Sequence, residues 1–168
     1  MVRTIPIAET DNNTKFEWAE DVKQVAKKLI ENYHGHLVEA KIAYLFRHGN
    51  WNSKGKVVFG KAQKVPDEWK YLTGYDLRVV VNKDVWDKLT PEQREALVDH
   101  ELCHFTKDED GEGNPNWSIE EHDIQEFSQV VQRHGLWRKE VENFFTAAKQ
   151  MSFEDFNKKE GLDYDDTR

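Results

Sequence analysis

Thr90-Pro91-Glu92-Gln93-Arg94-Glu95-Ala96-Leu97-Val98-Asp99-His100-Glu101-Leu102-Cys103-His104-Phe105 is the stretch on which the reading of this 168-residue chain turns. It opens as a helix start: Thr90 can cap, Pro91 suits the first helical position, and Gln93 stands where a capping box needs its reciprocal partner. Ala96, Leu97, His100, Glu101, His104 and Phe105 then recur at three- and four-residue steps. That spacing predicts an amphipathic helix with both histidines on its inward stripe. Residues four apart share a helix face, so the imidazoles of His100 and His104 can address one ion. Glu101, beside them, is placed to take a proton from a water at that ion, which is the division of labour in H-E-x-x-H zinc hydrolases.

A catalytic zinc takes three protein ligands and keeps one position open, so a third must come from elsewhere. Ser118-Ile119-Glu120-Glu121 reads as a second capping box. Beyond it Ile119, His122, Asp123, Glu126, Phe127, Val130, Val131 and His134 follow helical spacing. His122 is the expected third ligand, with Glu126 one turn further on as the alternative. Asp123 is expected to orient a ligating imidazole from behind. Asp110 is a weaker candidate, because the extended metzincin pattern wants Gly where Lys107 stands and His where Asp110 stands. His134 lies three turns beyond His122 and reads as a helix-end residue beside Gly135.

The rest of the chain bounds this reading. The length suits one domain, and 38% hydrophobic with 33% charged residues describes a folded protein with a well-solvated exterior. A net charge of −8 opposes binding to nucleic acid or an anionic membrane. The basic stretch from Arg47 to Lys70 reads as a solvated strand edge whose lysines resist aggregation. A single cysteine, Cys103, excludes an internal disulfide and suits a reducing compartment. With no apolar run of membrane-spanning length and no secretion signal, the expected location is cytoplasmic.

Residues 1–14 read as an irregular lead-in, and 153–168 as an acidic flexible tail. From Phe16 through Trp18, Val22, Val25, Ala26, Leu29, Ile30 and Tyr33 the spacing predicts one long amphipathic helix ended by Gly35, with His34 and His36 at a frayed terminus and without a role. Ile42–Phe46, Val57–Phe59 and Leu77–Val81 read as strands, the second as the return arm of a hairpin from the first. Asp108–Pro115 reads as an acidic solvated loop without the ligand order of a calcium site. The whole is an α+β arrangement: a three-stranded or larger sheet packed with an N-terminal helix, the motif helix and C-terminal helices.

Ala43-Tyr44-Leu45-Phe46-Arg47, Gly60-Lys61-Ala62, Leu97 to His104, His122-Asp123 with Glu126-Phe127, and Arg133-His134-Gly135-Leu136-Trp137 together resemble the phage metallopeptidases. These are small zincin-like proteins encoded in phage and prophage genomes, and the likeness extends more distantly to SprT-like zincins. It spans roughly residues 16 to 145, and the His-Asp-x-x-Glu-Phe piece is what narrows it beyond zincins at large. The resemblance implies a zincin-like domain over residues 15–152, with Zn2+ on His100, His104 and His122 and Glu101 as the base. A peptide or protein is then the substrate, and the bacterial host cytoplasm the place of action. A strand edge near the motif, taken here as Leu77 to Val81, would align the substrate. The competing expectation is a non-catalytic phage-type protein in which zinc staples the fold and the chain acts by binding a host partner.

Overall fold

The computed structural model describes residues 14–123, 127–137 and 139–150. Its elements run β1 (Phe16–Trp18), α1 (Glu20–Tyr33), a 3-10 turn at Gly35–Leu37, β2 (Ile42–Arg47), β3 (Asn52–Ser53), β4 (Lys56–Val57), β5 (Gly60–Lys64) and α2 (Asp67–Thr73). They continue through β6 (Leu77–Asn82), α3 (Lys83–Lys88), α4 (Pro91–Cys103), β7 (Phe105–Glu109), β8 (Pro115–Ile119), α5 (Ser128–His134) and α6 (Lys139–Gln150). The fold is α+β, and its contacts fall into two compact units, one up to Glu120 and one from Glu121.

The first unit is built on a four-stranded sheet of order β1-β2-β6-β5. β2 and β6 run parallel, pairing Ile42 with Leu77 through Arg47 with Asn82. Both are buried along nearly their whole length, as inner strands with covered faces are. β1 and β5 flank them antiparallel. α1 packs on α4, and Val22, Ala26 and Leu29 of α1 share one core with Val98 and Leu102 of α4, Tyr44, Val79, Val81 and Trp86. α4 starts as its sequence dictates. Thr90 Oγ1 accepts from Gln93 N–H at 3.2 Å, while the Gln93 side chain accepts from Thr90 N–H at 3.0 Å. In the second unit, α5 ends at His134 with Gly135 at φ 66°, and α6 buries Val141.

Several expectations give way. Phe16–Trp18 is a strand rather than the first turn of α1, because pairing with Leu45–Arg47 satisfies its backbone outside any helix. Val57 closes a small ribbon with Asn52 instead of returning along β2. The polar strand Gly60–Lys64, α2 and α3 carried no apolar signal strong enough to announce them. α3 is nevertheless capped, with Asn82 Oδ1 accepting from Asp84 and Val85 N–H. Leu77–Val81 is an inner strand, so the sheet edge near α4 is β5. The acidic loop is narrower than expected, since β7 and β8 form a hairpin that leaves only 110–114 as its turn. Ser118 pairs with Thr106 inside that hairpin and caps nothing. The helix expected from there begins only at Ser128, because cross-strand pairing of 105–109 with 115–119 outweighs the local capping preference. The lead-in 1–13 and the tail 153–168 lie outside the described residues.

Candidate metal centre

α4 ends at Cys103, and His104 is its C-cap rather than a residue of its interior. The buried face of the helix is made by Val98, Glu101 and Leu102. The expectation that both histidines face inward is therefore corrected: His100 is exposed and His104 half-buried, whereas the carboxylate between them is only 4% exposed. A helix turning 100° per residue cannot bury 98, 101 and 102 and also 100. The two imidazoles stay side by side, with ring centroids 5.2 Å apart and planes at 81°.

Backbone from the hairpin orients His104. Its Nδ1 lies 2.6 Å from the carbonyl oxygen of Glu120. A carbonyl only accepts, so Nδ1 donates and Nε2 keeps the lone pair a metal needs. Glu120 N–H in turn donates to the His104 carbonyl at 2.7 Å. His122, the third ligand expected from the sequence, is exposed and belongs to the second unit. Three imidazoles, one with its tautomer set by a carbonyl, are a donor set that suits zinc.

The other sequence candidates fare differently. Asp123 is exposed beside His122. Glu126 lies outside the described residues. Asp110 builds the β7–β8 turn: its carboxylate accepts from Glu112 and Asn114 N–H at 2.8 and 2.9 Å, and these bonds hold its carboxyl below the usual range.

Glu101 lies against the edge strand. Burial pushes its carboxyl above the ordinary glutamate range, opposed by the electrostatic pull of the His104 ring and by a hydrogen bond from Ala62 N–H of β5. Gly60, at the start of the same strand, makes room for it. A Cβ there would meet Glu101 Oε1 at 3.0 Å. Gly60 and Ala62 belong to a stretch that carries the family resemblance, but no spacing rule gives them or the Glu120 carbonyl a role, since each acts through backbone brought near by the fold. Beside His100 and Glu101 opens a pocket of about 530 Å³ with apolar walls from Val57, Phe59, Leu89, Ala96 and Leu97. A larger groove of about 790 Å³ along α1 contains none of the motif residues.

Among the described residues, no helix is long and apolar enough to cross a membrane. Comparison with curated proteins and with solved structures gave no match. The family model described as "Putative phage metallopeptidase" matches residues 14–149. That match spans most of the chain and includes the motif helix, the edge strand and His122, and on it the chain belongs to the phage metallopeptidase family.

Proposed function

We propose that the protein is a zinc-dependent peptidase in which His100, His104 and His122 hold the ion and Glu101 is the general base. The observation that carries this reading is a buried carboxylate beside two adjacent imidazoles, lining a largely apolar pocket against a sheet edge. A zinc ion bound there supplies a Lewis acid that acidifies water and polarises a carbonyl. Glu101 accepts the proton of the attacking water and returns it to the leaving amine. Its raised pKa suits that role, because a carboxylate made more basic by desolvation is a better proton acceptor near neutral pH. β5 offers the edge along which a peptide lies as an added strand, and the pocket between Phe59 and Leu97 takes one of its apolar side chains. The activity belongs to the bacterial host cytoplasm.

The test is Glu101→Gln against wild type, both loaded with zinc and offered unfolded proteins and a peptide library. The expected result is loss of hydrolysis with zinc content and thermal stability retained. Hydrolysis that persists at the wild-type rate refutes the base. A wild-type protein that binds zinc and cleaves nothing returns the site to the structural, partner-binding reading.

A further inference from the structure

α4 carries a second pair of ligand-type side chains at the same four-residue step. Asp99 and Cys103 each precede a motif histidine by one residue, which turns their pair by about 100° around the helix. Facing that pair is His34, the C-cap of α1. His34 does not sit at a frayed end: it is 6% exposed, and its Nε2 lies 2.6 Å from Asp99 Oδ1. One ligand atom from each of His34, Asp99 and Cys103 lies within 4.8 Å of the others.

We propose that His34, Asp99 and Cys103 form a second metal site, for a zinc-like divalent cation, separate from the His100/His104 pair. A histidine–aspartate hydrogen bond alone would satisfy the buried ring. The cysteine, on the same face and one turn along, is what that simpler arrangement does not require. Imidazole, carboxylate and thiolate together select zinc-class ions over magnesium or calcium. Around a tetrahedral zinc, bonds of about 2.0–2.3 Å place ligand atoms roughly 3.3–3.7 Å apart. The His34–Asp99 contact therefore opens by about 0.7 Å and no other separation closes by more than about 1 Å, which side-chain torsions supply while both helix backbones stay in place. Access is graded from buried His34, through half-exposed Asp99, to exposed Cys103. The ion enters from the Cys103 side and keeps a water there as its fourth ligand. Its role is to clamp the end of α1 to the helix that carries the H-E-x-x-H residues.

Cobalt titration of the metal-stripped full chain tests this, because thiolate-to-cobalt charge transfer absorbs in the near ultraviolet and an all-imidazole site gives no such band. The expected result is two equivalents bound, with the thiolate band present. Cys103→Ser and Asp99→Asn, both at solvent-accessible positions, each lower the stoichiometry to one and remove the band. His122→Ala, which addresses the other group, leaves the band in place. A wild-type protein without the band overturns the proposal whatever the fate of the peptidase reading. So does a band that survives Asp99→Asn, since that marks capture by the thiolate alone.

Discussion

Gly60→Ala adds one methyl group at the point where the edge strand meets the candidate base. The new Cβ would stand 3.0 Å from Glu101 Oε1 and 3.3 Å from both Glu101 Cδ and the Val80 carbonyl oxygen. The Val80 carbonyl belongs to β6, inside the sheet, so the carboxylate is what yields. Ordinary contact begins near 3.4 Å, so Oε1 retreats by about 0.4 Å. A misplacement of about 1 Å costs on the order of a hundredfold in rate, and scaling its logarithm to 0.4 Å gives about sixfold, or roughly 1 kcal/mol of barrier. Stability changes little, because crowding of about 1 kcal/mol is offset by the 0.4–1 kcal/mol typically gained from a stiffer unfolded chain. The assay is kcat/KM on a fluorogenic peptide pool, with zinc content measured on the same samples. Gly111→Ala is the control, since nothing lies within 4 Å of a Cβ there. Full activity in Gly60→Ala at unchanged zinc content would show that the position Glu101 holds against β5 does not matter to the chemistry. A loss that tracks loss of zinc would move the effect from the base to the ligands.

Three further outcomes follow from the same structure. Glu101 is raised by burial, against the pull of His104 and the Ala62 N–H, so its contribution to stability is fullest below the ordinary glutamate pKa and is lost as pH rises through the raised value. Metal-free Glu101→Gln accordingly melts higher than metal-free wild type at neutral pH, with the difference vanishing near pH 3. An equal difference at both pH values contradicts the assignment. Thr90→Ala removes one half of the capping box and lowers stability by about 1 kcal/mol in urea unfolding. No loss would mean that packing alone holds the start of α4. Leu102→Ala hollows the core behind the motif, where Leu102 is fully buried, and costs about 2–5 kcal/mol by thermal unfolding. A loss under about 1 kcal/mol would place that side chain outside the packed interior.

What was legible before folding depended on how far each signal reaches along the chain. Thr90, Pro91 and Gln93 announce α4 because a capping box closes within one turn, and His100 and His104 come side by side because a helix brings residues four apart together. The apolar runs at 42–46 and 77–81 mark strands, since inner strands are covered on both faces. Ser118 shows where such reading stops: its local capping preference is real, but pairing with Thr106 outweighs it. Phe16–Trp18 fails for the same reason, taken from a helical pattern by Leu45–Arg47.

Local order alone thus determined the motif helix and the α+β class, because those rest on contacts within a few residues. Only the tertiary structure decided that Glu101 rather than the histidines is buried, that β5 and not β6 is the edge beside it, and that Gly60 leaves space for its carboxylate. It also decided that the Glu120 carbonyl meets His104 Nδ1, and that His34 meets Asp99 across 65 residues of chain. These are encounters between backbone or side chains far apart in sequence, and no spacing rule encodes which distant segment will arrive.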